Sequence, residues 1–555
     1  MVAVGKVEHS ANLTIKDETT KAKDAMKSFF LAGQVSKVVK DFQVQRTRFV
    51  EEVHSLLEQN LWHTALKELH RNQITKLLCN PLICDAIPGV QAGALRTLAK
   101  CVRGTNGMGE ALIERGSLAD VVDSAQHGQG TVTQAAHGAL QAIAHESVSA
   151  AQAVIEAGVV EIIRGQLDMQ DHSLKEAGVK TLNVLVAANA DLASDVMGGD
   201  MLEVLVGLLA VKEVQGGYKV AIASTLADTC SHGEPFAQAI VNAGCVPTIW
   251  HVTTLSEAEP KVLAELFKCL GHICYYNEEL ASVVKKQARA LQLPSAFLKD
   301  PAAPLRRAAS ALVLQMLKYG GDFCYNIVES GDLAGLVRFI QLERATPNEG
   351  MTGVLSLGYI AREEASLGKA VCDCGALEEV TVYLQGNDME VLSAACWALH
   401  CVAQHGKETA LPLAMRGMLT VLLGVYSKAH EGSEAQLNAK EALKAIIRNC
   451  ATPSALEPLV TPETPSRIIK HVLRVLLRLM QHSPEARQSF LTSGALQRLQ
   501  QMEGDLGLAS LEVMSDIHKL YPTDVVQYYR AAPGRTTGTG RRSPRVRSPV
   551  KAEPS

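Results

Sequence analysis

Aromatic side chains are scarce in this sequence: they make up 4% of the 555 residues, with three tryptophans among them. Ala, Leu and Val carry the apolar content instead, and many small helix-to-helix contacts suit them better than thick sheets do. An excess of charge of one sign is also missing. The formal net charge is -4 and the pI is near 6.5, so the chain body makes no global electrostatic demand for nucleic acid or an anionic membrane. No apolar run reaches the ~18 residues of a membrane span, and no charged-then-apolar segment opens the chain, which predicts a soluble intracellular protein. The 13 cysteines, Cys79, Cys101, Cys230, Cys269, Cys396 and Cys450 among them, lie mostly in apolar runs without disulfide or zinc spacing. Reduced, buried thiols are expected. Dinucleotide, phosphate-loop, His-Glu-x-x-His and Gly-x-Ser-x-Gly motifs are all absent, so the common catalytic and cofactor sites lack a foothold. The chain is expected to be no enzyme and to need no cofactor.

What is present is a repeat. Ala153-Val-Ile-Glu-Ala-Gly158 returns as Ala239-Ile-Val-Asn-Ala-Gly244, Ala370-Val-Cys-Asp-Cys-Gly375, Ile327-Val-Glu-Ser-Gly331 and Phe490-Leu-Thr-Ser-Gly494. The turn glycines set the period: 42 residues from Gly116 to Gly158, 41 to Gly199, 45 to Gly244, 44 from Gly331 to Gly375 and 42 to Gly417. Between Gly244 and Gly331 lie 87 residues, two periods with the missing turn expected near Gln287. Each unit reads as a short helix ending at the glycine, a second helix such as 159–167 or 377–384, a polar break, and a third helix such as 389–404. In that third helix Leu392, Ala395, Cys396, Leu399, Val402 and Ala403 follow i, i+3, i+4, i+7 spacing. Such helices cannot bury their stripes alone, so neighbouring units must stack. A period of ~40 to 47 residues is the armadillo or HEAT signature, and a glycine between two helices rather than a proline bend favours armadillo. The predicted fold is all-α, an armadillo-repeat right-handed superhelical solenoid of about ten units over 36–529.

Residues 1–35 lack the period and are expected to form a partly disordered extension, ordered on a partner, with a short amphipathic helix over 25–31. The proline cluster at Pro453, Pro458, Pro462 and Pro465 shortens one unit. Residues 530–555 read as a basic disordered tail, with seven Arg or Lys against one Glu.

The ends of the array carry a resemblance. Arg467-Ile-Ile-Lys-His471-Val, His482-Ser-Pro-Glu-Ala-Arg487, Phe490-Leu-Thr-Ser-Gly-Ala495 and Tyr521-Pro-Thr-Asp-Val-Val-Gln-Tyr528-Tyr529 are similar to the end of the sperm-associated antigen six family. Asp41-Phe-Gln-Val-Gln-Arg46-Thr-Arg-Phe49-Val-Glu-Glu-Val53 is similar to that family's opening helix. The resemblance covers about 38–530 and is looser in the middle. It implies a structural role in the central-pair apparatus of cilia and flagella, within the axonemal cytoskeleton of the cytoplasm, and hence in motility. The implied partners are tubulin of a central microtubule, this protein itself or related armadillo-repeat proteins, and other central-apparatus proteins, with no nucleic acid and no membrane. A cytosolic armadillo adaptor for protein transport or signalling is the alternative.

Candidate surfaces follow. In armadillo folds the third helix lines a groove, and nuclear-import adaptors clamp peptides there with an Asn ladder. The matching positions here are Ala142, Val184, Asp228, His272, Gln315, Tyr359 and Cys401, so that ladder is absent. Asp228, His272, Gln315 and Tyr359 are the candidate protein-binding residues. Arg541, Arg542, Arg545, Arg547 and Lys551 form either a solubilising end or a contact for acidic tubulin tails. Ser543 and Ser548, each before a proline, are candidate phosphorylation sites whose added charge opposes such a contact. Cys372 and Cys374 read as packing thiols rather than ligands. His145, His232, His405 and His482 read as caps at third-helix ends.

Overall fold

The computed structural model describes residues 2–531 apart from 65–66, 212–215, 255–258, 292–294 and 451. All regular structure among them is helical. The chain forms two compact units, Met1–Ala288 and Arg289–Ser555.

Within each unit one motif recurs. In a representative repeat, Ser147 opens the Val148–Glu156 helix by accepting from the Ala150 N–H, which satisfies one of the orphan donors of the first turn. Gly158 ends it at φ 82°, a left-handed conformation that costs a side-chain-bearing residue steric strain. The Val159–Leu167 helix follows, and Asp171 then caps the Ser173 and Leu174 amides to start the third helix, His172–Ala188. Val154, Val159, Ile163, Leu182 and Leu185 are fully buried. At about 1.5–3 kcal/mol for each such side chain, this packing outweighs any single cap.

Third helices stack in chain order. In the first unit Pro88–Gly104, Thr131–Ala144, His172–Ala188, Gly216–Ser231 and Pro260–Tyr276 each pack on the next. In the second, the series is Ala303–Leu317, Pro347–Glu363, Met389–Ala403, Glu434–Asn449, Ser466–His482 and Leu508–His518.

Three places depart from the three-helix repeat. No turn lies at Gln287: without a glycine the Glu278–Leu291 helix runs straight through it, and only the 3-10 segment Ser295–Lys299 precedes the next third helix. The proline cluster leaves the short helix Pro453–Leu456 and the 3-10 turn Glu457–Leu459 in place of two full helices. At the other end a single helix, Val2–Glu58, crosses residue 36 without a break. Its last turns dock on Pro88–Gly104 through buried Val50 and Val53 and through Lys100 Nζ at 2.8 Å from Glu58, and Arg46 pairs with buried Asp85 just ahead of that helix. Further towards the N-terminus Phe29, Leu31, Val35, Val38 and Phe42 of the same helix are exposed.

Among the described residues no single helix is long and apolar enough to cross a membrane. The Lys407–Met415 and Met418–Lys428 helices pass such a test only together, and they are bent by 79° around Gly417.

One buried polar network joins two third helices. The His137 ring, fully buried, has Nε2 at 2.8 Å from Gln166 Oε1 and Nδ1 at 3.1 Å from the Thr181 hydroxyl. Gln166 Nε2 donates to the Ala125 carbonyl at 2.9 Å, so its oxygen faces His137 and Nε2 carries the proton. Burial pushes the imidazole below its ordinary 6.5, and the Gln166 acceptor opposes this only in part.

Two outcomes are expected. Gly158→Ala lowers unfolding free energy by about 1–2 kcal/mol in urea titrations, because Ala must adopt the same positive φ. For His137, the unfolded chain binds protons that the native chain refuses once pH drops below 6.5. Stability therefore falls in that window, and His137→Asn, whatever its own cost, shows a shallower loss when unfolding is followed across pH.

Candidate functional site: the third-helix face

The four residues singled out on the third helices are all half-buried and fall two to each unit. In the first unit, Asp228 accepts a hydrogen bond from Asn183 Nδ2 of the preceding third helix at 2.6 Å. His272 sits on the next one. Burial is the main cause lowering its proton affinity, Asp228 acts in the opposite sense, and Lys268 adds to the lowering. Asn183, Asp228 and His272 thus step across three consecutive third helices as a polar line.

In the second unit, Tyr359 lies against Trp397 with ring centroids 4.8 Å apart, and the Arg362 guanidinium sits 4.8 Å over the Tyr359 ring. The missing side chain of Gly358 is what lets the indole in, since a Cβ there would overlap the ring. Gln315 has its Oε1 buried without a hydrogen-bond partner among the described residues. Cation, phenol and indole thus stack on one another, with Tyr359 and Trp397 half-buried. The basic residues Arg541, Arg542, Arg545, Arg547 and Lys551, with Ser543 and Ser548, lie outside the described residues.

The histidines expected to cap their own helices do something different. His232 Nε2 reaches the carbonyl of Val186 at 2.7 Å, and His405 Nε2 reaches that of Ala361 at 2.6 Å, each near the end of the preceding third helix. A carbonyl only accepts, so each Nε2 carries its proton. The same place is taken by Tyr276 Oη on Cys230 at 2.7 Å, by Asn449 Nδ2 on Ala403 at 2.8 Å, and by Arg478 Nη2 on Arg448 at 3.1 Å. These carbonyls are the ones a helix end leaves unpaired, and a side chain 30 to 46 residues onward closes them. His145 and His482 make no such bond among the described residues. Sequence reading missed this because the partner helix, not the helix carrying the histidine, supplies the acceptor.

Cys372 is buried, with its thiol pushed up to about 11 chiefly by burial, and lies 3.8 Å from the Thr409 carbonyl. It therefore stays a neutral thiol at physiological pH. A cleft of about 450 Å³ lined by Arg344, Thr346, Pro347, Tyr383, Asn387 and Asp388 lies at the start of two third helices. Its carboxylate Asp388 is held below its usual range by the Val391 and Glu390 amides that it caps, so it is committed to the helix rather than to proton transfer.

No family model matches the chain. Over 139 residues, 25% of this chain, the sequence is 34% identical to sperm-associated antigen 6 of Mus musculus and 33% identical to that of Homo sapiens. The chain spans 27% of the length of these curated relatives in those matches. A crystal structure of an engineered protein superposes with a TM-score of 0.54 at 20% identity, covering 83% of this chain and 99% of the other. A chain from a structure of the phosphorylation-switched interaction between cadherin and beta-catenin gives 0.52 at 12% identity, covering 88% and 97%. The three-helix period, its glycine turn and these likenesses establish an all-α, armadillo-repeat-like solenoid fold.

Substitution separates the two kinds of histidine. His405→Ala leaves the Ala361 carbonyl unpaired and is expected to cost about 1–2 kcal/mol in chemical unfolding, whereas His145→Ala stays within about 0.5 kcal/mol of the parent.

Proposed function

We propose that the protein is a non-enzymatic scaffold of the axonemal central-pair apparatus, binding a central microtubule and other armadillo-repeat proteins to support ciliary or flagellar motility. The observation that carries this reading is the 34% identity over 139 residues to sperm-associated antigen 6. The fold supports the scaffold part, because stacked helices offer long surfaces whose weak contacts multiply along a lattice. In this reading the lines of Asp228 and His272, and of Gln315 and Tyr359, meet further copies of this chain or related armadillo proteins. Arg541, Arg542, Arg545, Arg547 and Lys551 meet acidic tubulin tails, and phosphate on Ser543 or Ser548 weakens that contact.

The test is extraction. Tagged protein expressed in ciliated cells should remain with the axoneme after detergent, and it should be lost from axonemes that lack the central pair. A diffuse pool released by detergent would instead favour the adaptor in transport or signalling.

A further inference from the structure

The Glu434–Asn449 and Ser466–His482 helices pack side by side in the second unit, and each carries a basic stripe. On the first, Lys440, Lys444 and Arg448 recur every four residues; on the second, Lys470, Arg474 and Arg478 do the same. That spacing puts each trio on one face of its helix, with neighbours about 5–6 Å apart. Arg478 Nη2, donating to the Arg448 carbonyl at 3.1 Å, fixes the two stripes next to each other.

Little cancels this charge. Glu441 is bonded to Lys444 at 2.8 Å. Lys440, Arg448, Lys470, Arg474 and Arg478 form no ion pair among the described residues, and the Ser466–His482 helix contains no Asp or Glu. His471, lying between the stripes, is depressed first by burial and then by Lys444, Lys470, Arg474 and Arg448, which places four cations around one ring. A chain with a formal net charge of -4 has therefore gathered six cations in two adjacent stripes, apart from Arg467, which pairs with Glu431.

We infer that this face docks an acidic, extended segment of another protein. Side chains on one side of an extended chain recur about every 6.6–7 Å, close to the step along each stripe. The third helices lie about 8–10 Å apart, so roughly three extended residues carry the segment from one stripe to the next. Leu437, exposed beside the first stripe, supplies apolar contact. Neither helix carries a Phe, Tyr or Trp on which bases would stack, which favours carboxylates over a single-stranded nucleic acid. The inference stands apart from the axonemal reading, because it requires only the acidic segment.

The experiment is fluorescence anisotropy on the full chain. The probe is a labelled peptide of about 12 residues alternating Glu and Gly with one Leu, long enough to span both stripes. A Lys-Gly peptide and an oligouridylate of matching length serve as comparisons. The Glu peptide should bind, weaken as salt rises, and lose at least about tenfold in affinity in Lys470→Glu/Arg474→Glu. Lys180→Glu/Lys268→Glu makes the same change in net charge on third helices of the other unit and should leave binding unchanged. Lys470→Gln/Arg474→Gln should weaken binding in the same direction, with circular dichroism melting showing each variant folded. Failure of the Glu peptide to bind at low salt, an equal loss in the control variant, or tighter binding of the oligouridylate would each overturn the proposal.

Discussion

No repeat in this protein can bury its own apolar stripe, and most of the structure follows from that constraint. The inward residues of His172–Ala188 are covered by the Thr131–Ala144 helix on one side and by Gly216–Ser231 on the other. Burial of Leu182, Leu185 and Val186 supplies the free energy, while hydrogen bonds, each worth about 0.5–1.5 kcal/mol net, set the register. The cross-repeat bonds from His232, Tyr276, His405 and Asn449 act at the helix ends. There a stacked neighbour is near enough to supply a donor but too far along to supply apolar cover.

The period was legible because its two determinants are local. A glycine at a left-handed turn and a 3.6-residue apolar spacing both read directly from residues, as with Gly375 and the Met389–Ala403 helix. Armadillo geometry was legible for the same reason. Gln287 was misread because an absent glycine does not mark a displaced turn: the first helix simply continues to Leu291. The Val2–Glu58 helix lies outside the period, because its outer residues lack the repeat spacing.

The candidate site was legible only in outline. Asp228 and Tyr359 were picked by repeat register, yet what makes them informative comes from neighbouring helices: Asn183 bonded to one, Trp397 packed on the other. Pairings between residues about 40 apart need the stack itself to be seen. The basic stripes of Lys440 to Arg448 and Lys470 to Arg478 were visible as four-residue spacings, but their union into one face appears only when the two helices lie side by side. A reading that asked which position matched an asparagine ladder passed over them.

Because the third helices that carry Val186, Cys230, Ala361, Ala403 and Arg448 borrow closing donors from the repeat that follows, the stack within a unit is vectorial. Removing a repeat from the leading side takes away accepting carbonyls and leaves donors such as those of His232 or His405 idle at the new edge. Removing one from the trailing side strips carbonyls such as those of Val186 or Ala361 of their cover. The two edges of any excised block of repeats are therefore chemically unequal, and only the trailing edge calls for a substitute cap.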